Sequence, residues 1–501
     1  MKINIYTWAL TSIMTMSIAA SCSNFLEEKS QDEIKPQNVK DYKELIAGEI
    51  YSKTNLETNL HTYLDIMTDD CEEFAKKARM GSDTRTEGNG YFTWQKVPEI
   101  PLEGSLKNDI AWDSYYHQIL VCNMILHDVD KMIGSDKEKQ VVKAEALMSR
   151  AYAYYMLVNL YGEPYDPDTA DKAMGVPKND LIGAQNKQFK RESVQTIYEL
   201  IISDATQAIE YFQQSNNETI FRWNLDAAKV FIARVYAYMQ IWDKTISYAS
   251  DVIDNHPILW NLNDKNSEGP ESSDLYYFNR RNPEILFSFG NSYIRYFAVG
   301  AKGAYPASTS LTSLYKSGDL RCGPSKAAYI RKLGSTFMGG GKRNCPYKSY
   351  DSNTTNVHGF AIRNTEAYLL RAEALSHTPN FADAMKDIEK IRINRFEPSK
   401  YEVLPLGTQE ETIQLVRNER RMEMCFEQLR WFDLRRWDRP RIVHTYTKDL
   451  ASPDAKQYFV LEENDPAYTL PVPTLVYEKD TDVINVDRPE RIGSDQNPDL
   501  K

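Results

Sequence analysis

The stretch Ala144-Glu-Ala-Leu-Met-Ser-Arg150-Ala-Tyr152-Ala-Tyr154 decides the fold. Ala144, Leu147, Ala151 and Tyr155 fall on one stripe at three- and four-residue spacing, which predicts an α-helix with one buried face. Ala228-Lys-Val-Phe-Ile-Ala-Arg234-Val-Tyr236-Ala-Tyr238 repeats the pattern at an offset of 84, with five of eleven positions identical. Self-similarity of this kind marks an internal repeat. Its small residues let neighbouring helices approach closely.

Working outward, Val194, Ile197, Ile201, Ala205, Ala208 and Phe212 predict the helix that follows the first copy. Trp242 to Asn255, with Ile246, Ala249 and Ile253, predicts the helix after the second. A third pair is expected at Asn364 to Ser376 and Phe381 to Arg395. Alanine-rich helix pairs closed by short polar turns look like tetratricopeptide hairpins, separated here by insertions because no strict 34-residue period is kept. The fold class is therefore mostly α: helical hairpins form a scaffold, and long irregular loops with a few short strands carry the binding surface. Tyr458 to Val476, with Leu470-Pro-Val-Pro473, reads as short extended structure.

The N-terminus reads as an address. Lys2 and the apolar stretch Tyr6 to Ala20 make residues 1–21 a signal peptide, too short to span a membrane. Small residues followed by Cys22 resemble a bacterial lipobox, with Ala19 where Leu is commoner, so Cys22 is the expected lipidation site. Residues 22–38 form a polar, acidic tether. Residues 39–501 are expected to be one domain, with a helical part at 39–260 and a loop-rich part with C-terminal helices at 261–501.

Composition excludes several classes. The 501 residues carry 60 Lys+Arg against 71 Asp+Glu, a net charge of −11, which gives no help in binding nucleic-acid phosphates. No nucleic-acid partner is expected. The 32 Tyr outnumber 18 Phe plus 8 Trp, and a flat ring with a polar tip suits wet recognition surfaces. Cys71, Cys122, Cys322, Cys345 and Cys425 are scattered and show no C-x-x-C. An exported location permits a Cys322–Cys345 bridge, but nothing in the sequence requires one.

Local catalytic motifs are missing. There is no H-E-x-x-H, and seven His are spread along the chain, so no metal centre is expected. Gly323-Pro-Ser325-Lys-Ala327 fails the nucleophile elbow at its last position. Gly341-Lys342 lacks the rest of a phosphate loop. Asp264 opens like a calcium loop, yet the twelfth position is Leu275. Asp69-Asp70 is the best local acid pair and reads as a solvated turn. No catalytic residue and no cofactor are assigned. The charged run Arg417 to Trp437 reads as structural ion pairing, with Arg371, Glu373, Glu423, Arg430 and Asp433 expected to pair mutually and to be shielded.

These pieces in this order resemble the SusD/RagB family of Bacteroidetes surface lipoproteins, nearly end to end. Cys22-Ser-Asn-Phe25-Leu26-Glu27 looks like the family's mature start. Trp112-x-x-Tyr115-x-x-x-Ile119-x-x-x-Asn123, Ala151 to Gly162, Gly175-Val-Pro177 and Glu284-Ile-Leu-Phe287-Ser288 follow, then Leu314-Tyr315-x-x-x-Asp319-x-Arg321. The most specific blocks are Tyr368 to Leu375, Ile388-x-x-Ile391-Arg392, and Glu419 to Trp437. Leu470-Pro-Val-Pro473 fits too, although the Asn-Pro usual after it is replaced by Asn485-Val-Asp-Arg-Pro489.

The resemblance implies a non-catalytic binding protein, lipid-anchored on the extracellular face of the outer membrane. It would capture oligosaccharides and deliver them to a SusC-like TonB-dependent transporter. Peptide capture, as in some relatives, and a secreted glycosidase are the alternatives. Ligand residues transfer by no motif. Sugars stack on aromatic rings and pair with polar side chains, so exposed loop aromatics are the physical candidates. These are Tyr293, Tyr296, Phe297 and Tyr305 in the Gly290–Pro306 loop, and Arg79 and Tyr91 in the Cys71–Tyr91 loop. Trp94 and Trp112 read as scaffold.

Overall fold

The computed structural model describes residues 36–51, 60–61, 63–74, 83–102, 106, 109–183, 189–264, 276–279, 281–289, 297–298, 304–325, 327–333, 342–348, 360–449, 451–479 and 482–499. The main helices are α1 (Val39–Leu45), α2 (Asp83–Phe92), α3 (Ala111–Asp128), α4 (Asp136–Tyr161), α5 (Val194–Gln214) and α6 (Leu225–Tyr238). They continue as α7 (Trp242–Asn255), α8 (Asn364–Ser376), α9 (Ala384–Arg392), α10 (Gln409–Glu423), α11 (Arg430–Arg436) and α12 (Thr474–Lys479). The short strands are β1 (Met174–Pro177), β2 (Arg191–Ser193), β3 (Ile285–Phe289), β4 (Ile330–Leu333), β5 (Arg343–Pro346), β6 (Phe360–Arg363), β7 (Ile442–Asp449) and β8 (Ser452–Leu461).

The mostly α architecture is the expected one. Each helix from α3 to α9 packs on the next, so the hairpins α4–α5, α6–α7 and α8–α9 form one array. The two copies of the repeat lie on α4 and α6. The third hairpin joins the second although the chain between α7 and α8 leaves to build β3–β6. Helix α9 differs slightly from expectation: Phe381–Asp383 is a 3-10 turn, and the α-helix begins at Ala384.

Local chemistry sets the helix ends. Ser135 and Glu138 form a capping box that starts α4, and Thr408 and Glu411 do the same for α10. At the C-terminus of α4, guanidiniums replace a left-handed glycine cap. Arg435 donates to the carbonyls of Asn159 and Gly162, and Arg191 donates to that of Tyr161. Unsatisfied carbonyls and the negative end of the helix dipole both favour cations there.

The repeat arginines find different partners. Arg150 bridges within its own hairpin to Asp204, 2.7 Å away. Its counterpart Arg234 instead reaches Glu366 on α8 at 2.6 Å and ties the second hairpin to the third. In the third hairpin Arg371 bridges to Asp387 at 2.7 Å. The larger of two apolar clusters runs through the array from Tyr63 to Val483, and a smaller one packs Val39, Tyr42 and Ile46 against Val121, Ile125 and Val142. Trp94 and Trp112 are buried in the larger, as expected for scaffold.

Among the described residues there are four two-stranded sheets, all antiparallel. β7–β8 is a hairpin, and Tyr458–Leu461 supplies the extended structure expected there. Cys71, Cys122, Cys322, Cys345 and Cys425 are free thiols, so Cys322 and Cys345 are not bridged.

Candidate functional site

The loops singled out in the sequence spring from one strip of extended backbone. Residues 71–74 lie antiparallel to 304–307, with the Phe74 amide donating to the Ala304 carbonyl at 2.8 Å and a bridge between Cys71 and Ala307. The Ala307 amide donates to the Asn344 carbonyl at 2.9 Å, which joins this pair to β5. β5 pairs with β4 from Ile330–Pro346 to Leu333–Arg343. At its end the Phe278 amide donates to the Lys348 carbonyl at 2.9 Å. The strip therefore carries the ends of the chain segments 75–82, 299–303, 334–341, 349–359 and 265–275.

A buried ionic cluster fixes this strip to the helices. Glu423 on α10 receives Arg363 and Arg395 at 2.9 Å and Arg321 at 3.1 Å. Glu284 receives Arg395 at 2.8 Å, and Arg321 also pairs with Asp319 and Glu419. From the strip, the Tyr329 hydroxyl donates to Glu423 at 2.8 Å, and the Lys348 ammonium donates to Glu427. Burial alone would raise the Glu423 pKa, but Arg395, Arg363 and Arg321 hold it well below the usual carboxylate range.

Glu427 is aimed by strain. It sits between Phe426 and Gln428, which hold φ of 58° and 59°. Left-handed backbone costs a bulky residue roughly 1–2 kcal/mol. The turn between α10 and α11 bears that cost where Glu427 meets Lys348 and Arg363.

The charged run is thus scaffold, as read from the sequence, but its pairing differs. Among the described residues Arg371 pairs with Asp387, Glu373 with Arg436, and Arg430 with Asp69, while Asp433 pairs with Arg420 and Arg436. These five residues are not one another's partners: Arg371, Glu373 and Arg430 each reach a residue on another element, and Asp433 pairs with Arg420 on α10 and with Arg436 on its own helix. Asp69 and Asp70 are likewise not a solvated turn: Arg430 and Arg421 clamp them against α11 and α10.

The ligand candidates divide. Tyr91 is 7% exposed and stacks on Tyr63 at 4.1 Å. Phe297 is 8% exposed and Tyr305 fully buried. Tyr305 packs on Phe92 at 4.6 Å, and its hydroxyl donates to the Arg85 carbonyl at 2.7 Å. Gly88 makes room for these rings, since a Cβ there would lie 2.8 Å from Tyr305 and 3.1 Å from Phe297. The expectation of exposed rings is therefore corrected for Tyr91, Phe297 and Tyr305: close packing under the strip buries them. Arg79, Tyr293 and Tyr296 lie outside the described residues, as do Cys22 and most of the Asp264–Leu275 stretch.

The strip also carries charged side chains of both signs: exposed Glu72, half-buried Arg331, exposed Lys332 and Lys342, and buried Arg343. Half-buried Arg331 lies over the Tyr347 ring at 4.4 Å, and Arg343 lies over Phe74 at 4.7 Å. Lys332 and Lys342 are exposed beside them. A sequence signal for the cations existed: from Leu320 to Tyr350 the chain has Arg321, Lys326, Arg331, Lys332, Lys342, Arg343 and Lys348, and no Asp or Glu. No group of three or more His, Cys, Asp and Glu side chains is placed to hold a metal among the described residues, and no described helix is long and apolar enough to cross a membrane.

A helical-repeat array that immobilises a loop-bearing strip defines a class of scaffolded recognition proteins. Comparison with known proteins narrows it. Residues 24–237 match the family described as "Starch-binding associating with outer membrane", and residues 261–486 match the SusD family. The chain belongs to the SusD/RagB family. It is 22% identical over 489 residues to a SusD-like protein of Formosa agariphila, covering 83% of this chain and 87% of that one. Its fold is similar to the crystal structure of a SusD-like carbohydrate binding protein from Bacteroides vulgatus, with TM-score 0.67 and 17% identity over 90% of this chain and 98% of that one. A SusD superfamily protein from Bacteroides thetaiotaomicron superposes with TM-score 0.65 and 19% identity, over 90% and 100% of the two chains.

Proposed function

We propose that this protein captures oligosaccharides at the cell surface and delivers them to a SusC-like TonB-dependent transporter, without transforming them. The observation that carries this reading is the strip: a member of the SusD/RagB family, matched over residues 24–237 and 261–486, anchors the ends of several chain segments on backbone that buried ion pairs hold to the helices. A rigid platform lowers the ordering cost of binding. Glu284, Glu419, Glu423 and Glu427 are paired with cations in the cluster under the strip, which suits support of that strip rather than proton donation there.

Anchoring would follow from acylation at Cys22, with the tether leading to α1 on the extracellular face of the outer membrane. Arg79, Tyr293 and Tyr296 are proposed as ligand contacts. Calorimetry of the pure protein against a panel of polysaccharides and peptides tests the reading. Binding of a polysaccharide with no release of reducing ends is expected. Hydrolysis of any member of the panel, or binding of peptides alone, overturns it.

A further inference from the structure

We infer that His444 is a proton-binding site: the folded protein holds its imidazole as the doubly protonated cation, and this cation joins the β7–β8 hairpin to the base of the strip. Both ring nitrogens face backbone carbonyls. Nδ1 lies 2.6 Å from the Phe92 oxygen at the end of α2, and Nε2 lies 3.1 Å from the Thr68 oxygen. A neutral imidazole has one N–H and one bare nitrogen. A carbonyl has no hydrogen to give, so either neutral tautomer sets a bare nitrogen against an oxygen lone pair. Only the imidazolium donates at both positions.

The ring faces favour the same form. Phe92 stacks on the imidazole at 4.1 Å with 12° between the planes, and Trp94 stacks at 4.2 Å with 21°. Two rings so close and so nearly parallel cannot share one face, so the imidazole lies between them. Aromatic faces attract a cation, most strongly where water is excluded, and His444 is buried. Burial lowers the imidazole pKa from 6.5 to about 4 against the upward pull of the two carbonyls and Asp69. The attraction of two aromatic faces comes on top of that balance and tips it toward the cation.

Charged groups approach from the surrounding elements. Burial raises the Asp69 pKa, but Arg430 and Arg421 outweigh it and keep the carboxylate charged. Asp70 beside it pairs with Arg421. Arg85 on α2 lies over Tyr446, two residues along β7, and pairs with Glu73. Arg488 and Arg491 both donate to the Trp94 carbonyl, and Arg491 pairs with Asp465. Burial pushes the Tyr305 phenol on Phe92 well up, so it stays neutral. Across the hairpin His444 meets Phe459, which has no charge.

The two carbonyls make the cation a joint. That of Thr68 also receives the Cys71 amide at 3.3 Å, at the residue where the strip begins. A proton held more tightly by the folded chain than by the unfolded one stabilises the fold below the ordinary imidazole pKa of 6.5. That contribution is lost as pH rises through the folded pKa, when one carbonyl loses its donor.

Nuclear magnetic resonance of the full chain carrying isotope-labelled histidine reads the ring directly, with the His444 signals assigned through their contacts to the Phe92 and Trp94 rings. Two protonated ring nitrogens at pH 6.5, and a titration midpoint above that value, are expected. A bare nitrogen at pH 6.5, in either tautomer, overturns the inference. Melting temperatures of the wild type and His444→Gln from about pH 5 to about pH 8 give a second reading. The wild-type advantage should shrink as pH rises. An advantage that grows with pH is the mark of a ring held neutral, and one that ignores pH is the mark of packing alone; either overturns the proton site.

Discussion

Arg395 and Glu423 stand 28 residues apart in sequence, yet their side chains meet at 2.9 Å with neither exposed to solvent. Arg395 follows the last turn of α9, and Glu423 ends α10. Arg395 also reaches Glu284 at 2.8 Å, just before β3, so one guanidinium joins two helices to the loop-bearing half of the chain. Position and loop geometry therefore depend on the same buried charges.

Glu423→Gln should destabilise the protein by about 3–5 kcal/mol, the usual result of removing one member of a buried pair. Arg321, Arg363 and Arg395 would be left facing a neutral amide. Chemical denaturation followed by circular dichroism measures this. A change under about 1 kcal/mol would show that the cluster does not hold the strip.

Acid should loosen the third hairpin. Burial raises the Glu373 pKa, but Arg436 outweighs it and brings the carboxyl down to about 2, below its ordinary 4.5. A depressed folded pKa gives stability that is present above about 4.5 and lost as pH falls toward about 2. That loss is on the order of 3 kcal/mol. Glu373→Gln should remove most of this acid dependence, read as melting temperature against pH.

Asp65 should behave in the opposite sense. Burial, with Asp70 nearby, pushes its carboxyl up to about 8, and its Oδ2 lies buried with no hydrogen-bond partner. A raised folded pKa means that the unfolded chain ionises first, so stability falls as pH rises from about 4 toward about 8. Asp65→Asn should gain about 1 kcal/mol or more at pH 8 and little at pH 4. A gain independent of pH would contradict this assignment.

Tyr305→Ala should act on stability, costing about 3–5 kcal/mol as large aromatic truncations in cores do. It is packed on Phe92 and closes over Gly88. Wild-type melting with lost ligand affinity would return Tyr305 to the binding surface.

Cys22→Ala should release the protein from membranes when no transporter is present. Partition between membrane and soluble fractions measures it, and undiminished membrane association would refute lipidation as the anchor.

The sequence by itself determined the helices and their hairpin order. Apolar spacing on Ala144–Tyr155 and Trp242–Asn255 depends on neighbours three and four residues away, and the helical period converts that spacing directly into a buried face. The chemical roles of Trp94, Trp112 and the Arg417–Trp437 run were legible for the same reason, since large rings and dense ion pairs have few stable places outside a scaffold. Partner choice was decided only by tertiary structure. Arg150 and Arg234 occupy identical repeat positions, yet one turns to Asp204 and the other to Glu366, because α6 packs directly against α8, which carries Glu366. Exposure was decided there too. Tyr305 and Phe297 sit among glycines and read as loop residues, but pairing of 304–307 with 71–74 lays them over α2 and Gly88. Burial is a property of what lies across the fold, and chain-local spacing carries no record of it.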